Sequence, residues 1–95
     1  MMDIKELPEG ILKSKYLNEE DIKQVSACER LPTEKELFEM RPVPEVIHIL
    51  ENYGHDFALF EQEMHELAKQ EIEQHNEWFA LKLLMVVEYT RESLV

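Results

Sequence analysis

Residues 75–89 read HNEWFALKLLMVVEY. From Trp78 to Tyr89 ten of the twelve residues are apolar, and Lys82 and Glu88 carry the charges. What such a segment lies against decides the fold. No glycine or proline follows Gly54, so helix is the expected state from there onward. Just upstream, Phe57, Phe60, Met64, Leu67, Ala68 and Ile72 recur at steps of three and four, while Glu63, Glu66, Glu73 and Glu77 take the far side. That is the pattern of an amphipathic helix. Unbroken from 57 to 92 it would run about 36 residues and about 54 Å, whereas a compact chain of this length is roughly 30 Å across. The helix is therefore expected either to break at Gln74-His75-Asn76, with Asn76 capping a new helix, or to protrude toward a partner.

Projection at about 100° per residue sets Leu81, Leu84 and Val87 in line with Glu66, Glu73 and Glu77. The outer face of one half becomes an apolar face of the other. Leaving those three side chains wet forgoes roughly 1.5–3 kcal/mol each, against a total stability of about 5–15 kcal/mol for a small protein. Two coverings answer this. Residues 77–92 form a central helix wrapped by helices at 19–30 and 44–53 and by the N-terminal arm, or the segment is an interface for a second copy or a partner's groove. For the interface the candidate partner-binding residues are Trp78, Leu81, Leu84, Met85 and Tyr89.

Further upstream the chain reads as short helices. Residues 1–17 scatter Ile4, Leu7, Ile11, Leu12, Tyr16 and Leu17 around Pro8-Glu9-Gly10, an arm with one or two helical turns. Asn18 followed by Glu19, Glu20 and Asp21 is a helix start with acids at the positive end of the dipole, running to about Arg30. Thr33 and Glu36 form a capping box that restarts a helix through Met40. Arg41-Pro42-Val43-Pro44 stops it, Pro44 serves as the first residue of the next, and Gly54 stands just past that helix's end. Asp56 caps the long segment. The expected fold is all-α, a small helical bundle of one domain: an arm over 1–17, short helices over 18–54, and a long or broken amphipathic helix over 56–92.

Ninety-five residues, 44% of them apolar, suffice for one modest core. The net charge of -11 is uneven: residues 51–77 hold eight carboxylates against Lys69, a local balance of -7. Such a stretch repels nucleic acid and anionic lipid. The longest apolar run is about half the roughly 20 residues a membrane-spanning helix needs, and MMDIKELPEG lacks the basic and apolar regions of a signal peptide. Lone Cys28 allows no internal disulfide and suits a reducing, cytoplasmic compartment.

No catalytic constellation is expected. Cys28, on one helix face with Ile22 and Val25, reads as core rather than nucleophile, and the two glycines make no phosphate loop. Glu51/His55, Glu61/His65 and Glu71/His75 repeat at four-residue spacing, but metal-binding bundles use Glu-x-x-His from two helices, so surface pairing is the expected explanation. Glu71, His75 and Lys82 would meet on the apolar stripe of an unbroken helix; a bend frees all three to reach water. The helix TEKELFEM, second of a helix-turn-helix-like pair, carries three glutamates where DNA readers carry Arg, Lys or Asn. The closing ESLV fits a C-terminal peptide ligand loosely and a frayed tail better. The expectation is a non-enzymatic protein-binding module, an inhibitor, adaptor or assembly chaperone, without metal or cofactor. It would bind another protein or a second copy of itself and neither membrane nor, directly, nucleic acid. The alternative is a nucleic-acid mimic whose acidic face of Glu63, Glu66, Glu73 and Glu77 occupies a basic groove.

Overall fold

The computed structural model describes residues 3, 6–40 and 43–94. Ile4 of the arm, Arg41 and Pro42 of the proline stop and Val95 of the C-terminal ESLV lie outside the described residues. Within them the chain is all-α: α1 (Glu9–Leu12), α2 (Glu19–Ser26), α3 (Glu34–Phe38), α4 (Pro44–Tyr53), α5 (Phe57–Glu73) and α6 (Glu77–Ser93).

The long amphipathic run breaks at Gln74-His75-Asn76, the first of the two outcomes its length allows, and does not continue as one protruding helix. His75 takes a φ of 63°. Its amide bonds the Ile72 carbonyl at 3.0 Å, and the Asn76 amide reaches back to the Glu71 carbonyl at 2.8 Å. This is a Schellman ending, a position usually given to glycine. The Asn76 side chain donates to the Glu71 carboxylate at 2.9 Å, a polar bridge where an apolar contact more often sits. Asn76 precedes α6 as expected, but its side chain makes no capping bond. The turn lays α6 antiparallel on α5 and folds the run into a body of 34 × 25 × 24 Å with a radius of gyration of 12.3 Å.

α6 is the central element. It packs on α5, α2 and α3, and Leu81, Leu83, Leu84 and Val87 are fully buried. The chain itself thus covers the side that continues the glutamate ridge. Facing residues complete one core: Val25 from α2, Val46 and Ile49 from α4, Phe60, Met64, Ala68 and Ile72 from α5, and Leu7, Ile11 and Leu17 from the arm.

Local chemistry explains the other boundaries. Asn18 Oδ1 accepts from the Asp21 amide at 2.8 Å and Asp21 answers the Asn18 amide at 3.0 Å. Asp21 Oδ2 also receives Lys69 Nζ at 2.7 Å, a buried carboxylate clipping α2 to α5. Thr33 and Glu36 form the expected box, and Arg30 grips Glu36 with two bonds of 2.6 and 2.9 Å. That grip, aided by the Thr33 amide, lowers the Glu36 pKa to about 2. Three boundaries differ from expectation. α3 ends at Phe38 rather than Met40, the Met40 amide tightening onto the Leu37 carbonyl at 3.2 Å. α2 stops at Ser26 rather than near Arg30, because Ser26 Oγ turns back on the Lys23 carbonyl at 2.8 Å and the next two amides tighten to three-residue bonds. Gly54 ends α4 with a φ of -63°, not in the left-handed region. Its small size is needed instead, since a β-carbon there would lie 2.4 Å from the Leu50 carbonyl oxygen. Among the described residues no helix is long and apolar enough to cross a membrane.

Candidate docking surface

α6 leaves one stripe partly uncovered: Phe79, Lys82, Val86, Tyr89 and Thr90, then exposed Ser93, at steps of three and four. Toward its C-terminal end the stripe runs between α3 and the α4–α5 corner. Two shallow depressions meet there, sharing Val86 and Thr90. One, of about 270 Å³, is walled by Glu34, Leu37, Phe38, Tyr89 and Ser93. The other, of about 280 Å³, is walled by Leu50, His55, Phe57 and Leu94. Phe38, Leu94 and Leu50 are 82%, 66% and 51% exposed, and apolar patches of this kind mark contact surfaces. Two of the three hydroxyls within the stripe are spent internally: Thr90 Oγ1 donates to the Val86 carbonyl at 2.8 Å and Ser93 Oγ to the Tyr89 carbonyl at 3.0 Å. The face is therefore more apolar than its composition suggests.

The five residues read from the sequence as a docking patch divide. Leu81, Leu84 and Met85 lie in the core, where the folded chain does not present them. The physical reason is the break: His75 leaves helical geometry, so the phase of α5 is not carried into α6 and the apolar sides of α6 are set anew. Tyr89 keeps its place on the surface. Trp78 is half-buried at the other end of α6, with the Arg30 guanidinium 5.1 Å and Lys82 Nζ 5.6 Å from its ring centroid. Val86, Thr90, Leu37, Phe38, Leu50 and Leu94 join the surface unforeseen; the three- and four-residue spacing of Val86, Thr90 and Ser93 was the available signal.

Of the acidic face, Glu66 and Glu73 are exposed and Glu63 and Glu77 half-buried. Glu63 and Glu66 line an α4–α5 groove of about 390 Å³ with Glu45 and His48. The ridge stops at Glu73, because Glu77 begins the next helix.

The three glutamate–histidine pairs have unlike fates, which corrects the surface-pairing reading. His55 is exposed before α5, and His75 sits in the turn, exposed. His65 is fully buried. The Tyr16 amide donates to Ser14 Oγ at 3.2 Å, and that hydroxyl lies 2.7 Å from His65 Nδ1. The hydroxyl oxygen has two acceptor lone pairs, so the direction of that bond follows the tautomer of the ring; the other ring nitrogen, Nε2, is buried without a partner among the described residues. Burial lowers the His65 pKa to about 4, with Arg91 adding to the effect and Glu61 opposing it. A serine beside a histidine, lining a cleft of about 360 Å³, has the outline of a nucleophilic pair. Such a pair needs a base near working pH and an acceptor orienting the second ring nitrogen, and His65 has neither.

The trio of Glu71, His75 and Lys82 is not assembled, because the break separates it: His75 faces water, Glu71 holds Asn76 and Lys82 lies over Trp78. Cys28 is half-buried against the core, its pKa raised by burial and by Glu77. Among the described residues no group of three or more His, Cys, Asp or Glu side chains is placed to hold a metal ion. No family model matches the chain, and no curated protein or solved structure does either.

Proposed function

We propose that this protein is a non-enzymatic binding module, of the inhibitor, adaptor or assembly-chaperone kind, that docks another protein on the C-terminal face of α6. The observation that carries the reading is the pair of adjoining apolar depressions around Val86 and Thr90, flanked by Phe38, Leu50 and Leu94 in water. Exposed large side chains of this kind cost solubility and contribute little to the core, so a surface that gathers them is best explained by use. The lone half-buried Cys28 suits work in a reducing, cytoplasmic compartment.

Phe38→Asp and Leu94→Asp test it, since both positions are too exposed to threaten the fold. Each is expected to leave stability within about 0.5 kcal/mol of the parent, yet to abolish retention of whatever the parent chain captures from its native host. An unchanged set of captured proteins sinks the reading. The alternative, a nucleic-acid mimic, draws on Glu45, Glu63 and Glu66 gathered along one groove. It requires that Glu63→Gln with Glu66→Gln, rather than the apolar substitutions, remove the partner.

A further inference from the structure

We infer that the occupant of the α6 face is a cationic amphipathic helix. The inference rests on the docking reading above and names the partner's chemistry.

The occupant's secondary structure follows from what the surface offers. Among the described residues there is no strand, hence no sheet edge for an extended peptide to join. The backbone of α6 is closed in its own helix, and the Thr90 and Ser93 hydroxyls are turned back onto it. Recognition must then come from apolar side chains entering depressions. The two depressions adjoin at Val86 and Thr90, and an incoming helix sets neighbouring side chains at i and i+3 or i+4 on one face about 5–6 Å apart, so one helix can seat anchors in both.

The occupant's charge follows from the rim. Glu34 lines the first depression, and three exposed glutamates are chain neighbours of lining residues: Glu39 follows Phe38, Glu51 follows Leu50 and Glu92 precedes Ser93. Glu34, Glu51 and Glu92 have no ion-pair partner among the described residues. Of the nearby cations, Arg91 is held by Glu61 and by Glu88 at 3.1 Å, Lys82 of the stripe lies over Trp78, and exposed Lys35 faces Glu39 at 4.0 Å and offsets that one carboxylate alone. Two-fold self-association would press this rim against its own copy, like charge on like, between two chains of net charge -11. Lysines or arginines flanking the anchors of a partner helix answer the same carboxylates favourably.

The test uses the full chain, isotope-labelled for NMR, and two synthetic amphipathic helices that share leucine anchors, one with lysine and one with glutamate at the other positions. The leucine–lysine helix is expected to give saturable shifts centred on Leu37, Val86, Tyr89 and Thr90, with affinity falling about tenfold or more as salt rises from low to moderate. Phe38→Asp should weaken that binding about tenfold, and Glu34→Lys with Glu92→Lys should transfer preference to the leucine–glutamate helix. Equal binding of both helices overturns the charge assignment and leaves the docking surface standing. Shifts centred instead on Glu45, Glu63 and Glu66 overturn it too, as attraction to the acidic groove alone. A dimer that neither helix disturbs, and that Phe38→Asp dissociates, shows a second copy on the face and overturns the cationic occupant. If neither helix binds, the chain is monomeric and Phe38→Asp changes nothing captured, the inference and the docking reading fall together.

Discussion

His65 is the residue whose chemistry most constrains the molecule. A free histidine titrates near 6.5, while in the folded chain burial lowers the pKa to about 4. Between those values the unfolded chain binds a proton that the native chain refuses, so stability rises with pH across that window. The contribution is complete above the unfolded value and is lost as pH falls toward 4. The interval sets an upper bound of about 3 kcal/mol, and about 2 kcal/mol is expected to be lost between neutral pH and pH 5. Urea midpoints at the two pH values measure it, and His65→Phe should flatten the difference. A parent protein equally stable at both would mean that water reaches Nε2. Nothing in the sequence announces this residue: Ser14 and His65 stand 51 positions apart, and Glu61 four residues before His65 makes it look like half of a surface pair. The glutamate in fact serves Arg91, whose pKa is raised although burial works against its charge, because hydrogen bonds to Glu61 and Glu88 prevail.

At the scale of the element, α6 shows what a sequence pattern carries and where it stops. Capping is local and was legible at Asn18, Thr33, Pro44 and Asp56, since each depends on residues within one turn. Length left a choice between a break at 74–76 and a helix that protrudes, and the chain takes the break. The side of α6 that faces outward was not legible, because a left-handed residue resets helical phase by an amount that no periodicity encodes. That loss of phase is why the pattern leaves both a core and an interface open for Leu81, Leu84 and Met85, which lie in the core, while Val86 and Thr90 face outward. Two substitutions measure the difference. Leu84→Ala empties a fully buried site and is expected to cost about 2–5 kcal/mol, whereas Val86→Ala, half-exposed on the same helix, should cost about 1 kcal/mol or less. Comparable losses would contradict the orientation of α6. The turn itself is strained: His75 holds a left-handed conformation that costs an L-residue about 1–2 kcal/mol. His75→Gly should therefore stabilise the chain by about 0.5–1 kcal/mol in chemical denaturation, because the exposed contact it gives up, 3.7 Å to Glu77, is of the kind that contributes little.

For the whole molecule the governing quantity is the imbalance of 21 acidic against 10 basic side chains in 95 residues. Two effects of salt compete. Ions screen the repulsion among exposed carboxylates such as Glu66, Glu73 and Glu92, which favours the compact state. They also weaken attractive pairs, but those that hold elements together are partly sheltered: Asp21, which Lys69 of α5 reaches, is 5% exposed, and Glu61 of α5 meets Arg91 of α6 with both half-buried. Buried pairs are screened far less than exposed ones. The exposed pairs that salt does reach, such as Lys13 with Glu9 and Lys35 with Glu39, contribute little to begin with. Salt therefore removes more repulsion than attraction, and the folded chain is expected to gain on the order of 1 kcal/mol, a few degrees in Tm, between low and moderate sodium chloride. Thermal melts at neutral pH across that range check it, with Asp21→Asn as the second variant, whose gain should match the parent's if the clip to Lys69 is shielded. A Tm that falls with salt would mean that ion pairs, and not the enclosure of α6, dominate the stability of this acidic fold.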